Sequence, residues 1–246
     1  MFYALPHKKL IRILLHIFTV SILQIYITMN KRILAFDVET TGLIPKQGQQ
    51  FNLQNSPYII QLSFIVYELK SNQIIRTFNN YIAIDDSIEI SPKITEITGI
   101  VKETCTSKGK PIEYVLTELY NEYLLCDVIV AHNIDFDKEM VMIEVMRNHS
   151  KMVENGCYNP YLLFNKVYNY AHNKEIYCTM RNGLDICNIW TGGKTDENGR
   201  VTRKYKKNPK LSELYFKLFN QVPLGLHDAL VDTEVCLKCY IQLIST

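Results

Sequence analysis

No proline-, glycine- or serine-rich linker interrupts the chain after residue 30, and no internal repeat or low-complexity tract runs through it. The 246 residues therefore read as one large domain rather than two small ones. A strong charge of one sign is lacking as well. The formal net charge is +2, so the molecule as a whole is no trap for polyanions, and any contact with nucleic acid must come from a local basic patch. The cysteines lack a framework. There are seven, an odd number without regular spacing, which reads as reduced thiols of an intracellular protein, cytoplasmic or nuclear. Cys236 and Cys239 have CxxC spacing, yet no second CxxC or histidine pair is placed to complete a zinc site. Two cysteines three apart on a helix are most simply small apolar core residues.

Apolar residues make up 47% of the chain, enough for a substantial core. The N-terminus stands apart. Leu10 to Ile27 is strongly apolar and follows Lys8 and Lys9, as in a signal peptide or anchor, but Arg12, His16 and Gln24 interrupt it and no small-residue cleavage site follows. Met29 lies just before Ile33, where the first good strand opens, so a start at Met29 fits well. Residues 1–28 are thus read as a dispensable extension and 29–246 as the folded domain, with membrane anchoring as the competing reading.

The pattern begins with strands. Arg32–Glu39, Tyr58–Leu69 and Gln73–Ile84 are rich in β-branched and aromatic residues, with a short turn at Lys70–Asn72. Ser91-Pro92 marks a helix start, and Pro111–Leu125 carries an apolar stripe. Asp127–His132 is a short apolar strand, followed by a helix from Phe136 to about His149. Helices are expected over Tyr158–Tyr170, Met180–Ile189, Leu211–Phe219 and Asp228–Ile244, a last short strand over Ile176–Thr179, and a hairpin turn at Asn198-Gly199. A meander followed by strand–helix alternation argues for an α/β fold, a mixed sheet flanked by helices.

Ile33 to Leu43, ILAFDVETTGL, starts as a buried strand and then changes character. Side chains two apart on a strand share a face, so Asp37 and Glu39 project together. Two adjacent carboxylates repel unless a proton or a cation lies between them, so the pair is either a metal site or two solvated charges at a strand end. Asp137 follows the second apolar strand, where an acid also suits a helix N-terminus, and neighbouring Asp135 is the better cap of the two. Asp228 is the natural cap of the last helix, which leaves His227 and Asp232 without a structural task. Together these are four carboxylates and one histidine from elements that one sheet can gather. Hard oxygen ligands suit Mg²⁺ or Mn²⁺. Two such ions about 4 Å apart support in-line attack of water on a phosphodiester, and a histidine is a suitable base for that water.

These motifs resemble the DEDD superfamily of 3′–5′ exonucleases in its histidine-containing subtype, the group of proofreading subunits, RNase T and oligoribonuclease. The match is carried by Phe36-Asp-Val-Glu-Thr-Thr-Gly42, Ala131-His-Asn-Ile-Asp-Phe-Asp137 and His227-Asp-Ala-Leu-Val-Asp232, in family order, with weaker matches at Ile97–Ile100, Cys178–Arg181 and Leu211–Tyr215. The resemblance covers Ile33 to about Leu243. It implies a ribonuclease H-like fold with a mixed sheet of about five strands, and a cofactor of two Mg²⁺, with Mn²⁺ as a substitute. It further implies that Asp37 bridges both ions, that Glu39 and Asp232 hold one and Asp137 the other, and that His227 is the general base. Thr40, Thr41, Gly42 and Asn133 are then expected near the terminal nucleotide.

The expected partner is a nucleic-acid 3′ end, single-stranded DNA ahead of RNA, with a polymerase or replication protein as a further partner and a membrane disfavoured. Thr98 stands where many relatives have His, and Asp135 adds a charge that is uncommon there. The basic arm Arg200–Lys210 offers Lys204 for a phosphate and Tyr205 for stacking on a base, with a solvated charged loop as the plain alternative. The remaining alternative, a non-catalytic binding module on the same fold, would be expected to have lost one or more of the five polar residues, and all five are present.

Overall fold

A computed structural model describes residues 31–45, 52–53, 55–195, 197, 199–201 and 203–245. The apolar stretch Leu10–Ile27, the start at Met29 and Asn198 of the expected turn lie outside the described residues. No helix among the described residues is long and apolar enough to cross a membrane.

The centre is a five-stranded mixed sheet in the order β3-β2-β1-β4-β5. Its strands are β1 (Arg32–Thr40), β2 (Ile59–Glu68), β3 (Gln73–Tyr81), β4 (Val128–Ala131) and β5 (Glu175–Cys178). β1 to β3 form an antiparallel meander, while β1, β4 and β5 run parallel. The helices are α1 (Pro92–Thr98), α2 (Lys102–Lys108), α3 (Ile112–Leu125), α4 (Ile134–Glu154), α5 (Lys166–Ala171), α6 (Thr179–Asn182), α7 (Leu184–Cys187), α8 (Leu211–Phe219) and α9 (Ala229–Ile244). A small hairpin pairs β6 (Trp190–Thr191) with β7 (Tyr205–Lys206), and a bridge joins Thr195 to Val201.

The continuous apolar run of β1 is explained by burial on both faces. Leu34, Phe36 and Val38 enter one core with residues of α3 and α4, including Leu116, Leu119, Met140 and Val141. Ile33 and Ala35 enter the other, against Leu214 of α8 and Val235, Cys236 and Cys239 of α9. β4 repeats the alternation, with Ile129 and Ala131 on the first side and Val128 and Val130 on the second. This parity matters for the site: Asp37 and Glu39 continue the Ile33–Ala35 face, the face that α9 covers.

Most expected elements form, and the helix starts have the expected chemistry. Ser91 accepts from the Ile94 amide with Pro92 in the first turn, and Asp228 accepts from the amides of Leu230 and Val231. Three expectations are corrected. Tyr158–Tyr170 is not one helix. Pro160–Leu162 forms a 3₁₀ turn, Phe164 adopts a left-handed φ of 54° that seats its ring on Phe36 and Tyr123, and Asn165 then caps α5 afresh. Met180–Ile189 is two short helices broken at Gly183, where a Cβ would lie 2.7 Å from Leu214 Cδ1. Asp135 is not the cap of α4. Asn133 holds that place with a left-handed φ of 67°, and Asp135 instead forms an exposed ion pair with Arg181. The helix α2 has no counterpart in the sequence reading. Cys236 and Cys239 are buried in the second core, where the Cys236 sulfur lies 3.5 Å from the Thr179 hydroxyl.

Candidate active site

Parallel strands β1 and β4 end at the same edge of the sheet, the edge at which polar groups of such folds can converge without disturbing the core. The last residues of β1 carry Asp37 and Glu39. A register shift follows at Glu39/Thr40, so the chain leaves the ladder just past the acids. Asp137 comes from the first turn of α4 and is buried; its Oδ1 accepts from the Val38 amide at 3.3 Å. That bond ties the start of α4 to the middle of the acidic pair.

The start of α9 supplies the rest. His227 adopts a left-handed φ of 71° just before the Asp228 cap, and its amide donates to Asp232 Oδ2 at 3.1 Å. Ligand atoms of Glu39, His227 and Asp232 all lie within 4.8 Å of one another. Gln61 fastens this turn to the sheet. It is fully buried opposite Glu39 on β2, its Nε2 donates to Asp228 Oδ2 at 3.1 Å, and its Oε1 accepts from the Ala229 amide at 3.3 Å.

The charge balance of the cluster is one-sided. Burial, then the charges of Asp137, Asp232 and Glu39, hold the Asp37 carboxyl well above the usual range. Glu39 is pushed up to about 8 by burial and then by Asp232, Asp137 and Asp228. Burial also pushes Asp137 up to about 8, against the lowering effect of the amides that it accepts. Asp232 rises to about 6 through burial, opposed by the amide and ring of His227. Asp232 Oδ1 is buried with no hydrogen-bond partner among the described residues. An orphaned carboxylate oxygen in a crowd of carboxylates is costly unless protons or cations fill the site. Asp37, Glu39, Asp137 and Asp232 therefore fit hard divalent ions as an all-oxygen set, with His227 at its rim.

The second histidine of the motifs has a different environment. His132 donates from Nε2 to the Pro209 carbonyl at 3.0 Å and pairs through Nδ1 with the Thr179 hydroxyl at 2.9 Å. Burial lowers its pKa to about 4, so it is a neutral packing residue that anchors the base of the basic arm.

The other expected contacts are more scattered. Thr40 is buried and its hydroxyl donates to the Gly42 carbonyl, while the Thr41 hydroxyl accepts from the Tyr58 amide. Thr41 and Gly42 line an open cleft of about 410 Å³ with Leu43, Asn55–Tyr58 and Ser87–Glu89. Asn133 is exposed at the head of α4. Lys204 and Tyr205 are exposed on the hairpin. Lys206 and Lys207 of the same arm pair with Asp185 and Glu213. Sequence reasoning missed Gln61, although a glutamine within the apolar run YIIQLSFIVYEL was a signal, because a buried amide needs partners. It also missed Glu144 and Arg147 of α4, which pair with each other and whose remaining partners Leu53, Ser56, Pro57 and Ile59 are distant in sequence.

The family model RNase T, described as "Exonuclease", matches residues 34–240. The chain belongs to the DEDD-type family of 3′–5′ exonucleases. Its exonuclease domain is 36% identical over 118 residues to the 3′–5′ exonuclease DinG of Bacillus subtilis, a match over 48% of this chain and 11% of that protein. A PolC-type DNA polymerase III of Thermotoga petrophila is 31% identical over 118 residues, 48% of this chain and 8% of the relative. The chain thus matches only about a tenth of the length of these relatives. Escherichia coli exonuclease I in complex with a dT13 oligonucleotide superposes with a TM-score of 0.59 at 17% identity, over 88% of this chain and 41% of that one. A zinc-bound form of the same exonuclease–DNA complex gives 0.60 at 18% identity, with the same coverage. These likenesses show the ribonuclease H-like fold.

Proposed function

We propose that the exonuclease domain removes nucleotides from the 3′ end of single-stranded or frayed DNA, releasing nucleoside 5′-monophosphates. The observation that carries this reading is that Glu39, His227 and Asp232 bring ligand atoms within 4.8 Å of one another beside the buried Asp37 and Asp137, with Asp232 Oδ1 unpartnered among the described residues. Two divalent ions, Mg²⁺ or Mn²⁺, would be held by Asp37, Glu39, Asp137 and Asp232. When bound, they supply Lewis acidity that eases deprotonation of the attacking water and offsets charge on the phosphate.

The chain's own groups do the rest. The crowded carboxylates are unstable alone and hold their geometry through the Val38–Asp137 and His227–Asp232 bonds. His227 is exposed at the rim, where its ring can take a proton from water. Water attacks the terminal phosphorus in line, the bond to the preceding 3′ oxygen breaks, and the shortened strand keeps a 3′-hydroxyl. Thr41 and Gly42 at the cleft would hold the last nucleotide. Lys204 and Tyr205, joined by Trp190 on the same hairpin, would contact the upstream strand through charge and stacking. DNA is supported over RNA by the DNA-bound structures of the neighbouring exonuclease I. The PolC-type relatives support association with a polymerase.

The test is incubation of the protein with single-stranded DNA and RNA of one sequence in Mg²⁺, Mn²⁺ or EDTA. Metal-dependent release of 5′-mononucleotides, faster from DNA, is expected. A folded protein that binds both strands but releases nothing would return the binding-module reading.

A further inference from the structure

Arg147 is nearly buried on α4, with its side chain 12% exposed, and its guanidinium is fully engaged. It donates to the carbonyls of Leu53, Ser56 and Pro57, the last two at 2.6 and 2.8 Å, and to Glu144 Oε1 at 2.9 Å. Its Cζ lies over the Tyr58 ring, 3.8 Å from the ring centre. Glu144 also accepts from the Ile59 amide at 3.2 Å. One side chain thus grips the segment that leads into β2. Only a planar fork can reach several carbonyls and stack on a ring at once, so lysine is a poor substitute.

The gripped segment is the wall of the cleft. Tyr58 and Thr41 exchange two bonds: the Thr41 amide donates to the Tyr58 carbonyl and the Tyr58 amide to the Thr41 hydroxyl, each at 2.9 Å. From there Thr41, Gly42 and Leu43 face the cleft beside Ser56, Pro57 and Tyr58. The carboxylates are held by other contacts, through Val38, His227 and Gln61. α4 therefore serves the site twice, with Asp137 in its first turn and Arg147 just before the non-helical Asn148.

We propose that Arg147 is a positioning residue for substrate: by clamping Leu53, Ser56, Pro57 and Tyr58 it sets the width of the cleft that receives the 3′-terminal nucleotide. This rests on the exonuclease reading of the site.

The experiment compares kcat and KM on single-stranded DNA, and the Kd of a fluorescent dT oligonucleotide in EDTA. The proteins are the wild type, Arg147→Lys, and Arg147→Met combined with Glu144→Gln, which strands no buried charge. Arg76→Lys is the control. It makes a similar lesion in a salt-bridged arginine, paired with Glu118 and Glu122 between β3 and α3. The double variant is expected to raise KM and Kd about tenfold and Arg147→Lys about threefold, with kcat within about twofold, as loss of uniform binding requires. Arg76→Lys should move neither. Unchanged KM and Kd in folded Arg147 variants would overturn the proposal, as would a fall in kcat alone or an equal rise in Arg76→Lys. If the double variant does not fold, Arg147→Lys decides. If the wild type binds but does not cut, the exonuclease reading fails while the Kd ratios still judge Arg147. If the wild type neither binds nor cuts, both fall.

Discussion

Replacing Glu39 by Gln should stabilise the protein when divalent ions are absent. Glu39 titrates at about 8 in the folded chain because it is buried beside Asp232 and Asp137. Its unfolded value is near that of a free carboxyl, so the folded state keeps a proton that the unfolded state has lost. Stability from this group is therefore full at pH 4 and declines as pH rises toward 8. At about 1.36 kcal/mol per pH unit of displacement, the bare cost approaches 5 kcal/mol, which water reaching the open cluster reduces to about 2 kcal/mol. For a domain of this size that is about 4 to 8 °C in melting temperature. Glu39→Gln should thus melt that much above the wild type in EDTA at pH 8. The gap should close at pH 4, and also in excess Mg²⁺, which stabilises only the form that binds it. Thermal melts across this grid provide the test. A variant that melts at or below the wild type in EDTA at pH 8, or a gap indifferent to Mg²⁺, would refute the view that the acids are an unrelieved cluster awaiting cations.

His227→Ala should lower kcat by about 10²- to 10⁴-fold, as loss of a general base does, while Mn²⁺ affinity by titration changes less than about threefold; a loss of affinity of tenfold or more would make His227 a ligand instead. Gln61→Leu leaves the Ala229 amide and Asp228 short of partners, so it should cost about 1 to 3 kcal/mol in denaturant melts and lower turnover through a loosened His227–Asp232 turn. Tyr205→Ala should weaken binding of long single strands by about 1 to 3 kcal/mol in equilibrium titrations yet leave cleavage of a dinucleotide unchanged, because the hairpin supplies none of the four carboxylates or His227.

Much of the site was legible because its determinants are local. The strand parity of Asp37 and Glu39, the cap at Asp228 and the spacing from His227 to Asp232 are each set within a few residues, and the chain order of strands and helices constrains how they meet. The two-core burial of β1 follows directly from its unbroken apolar run. What escaped depends on tertiary partners. Asp135 lies one residue inside α4, which begins after the left-handed Asn133, and it pairs instead with Arg181, distant in sequence. At Gly183, between the two short helices, Leu214 packs too close to admit a Cβ, and the turn at Phe164 sets its ring beside Phe36. Nothing local in the sequence marks Arg147, and only the fold brings Leu53, Ser56 and Pro57 within its reach.

The central claim is that the four carboxylates form a metal site that cuts strands from the 3′ end. The most direct measurement follows a 5′-labelled single-stranded DNA in Mg²⁺, with Asp37→Asn alongside. The account predicts a ladder that shortens stepwise from the 3′ end, is abolished by EDTA and is absent from the folded variant. Cleavage that persists in Asp37→Asn, or that releases the 5′-terminal nucleotide first, would contradict it.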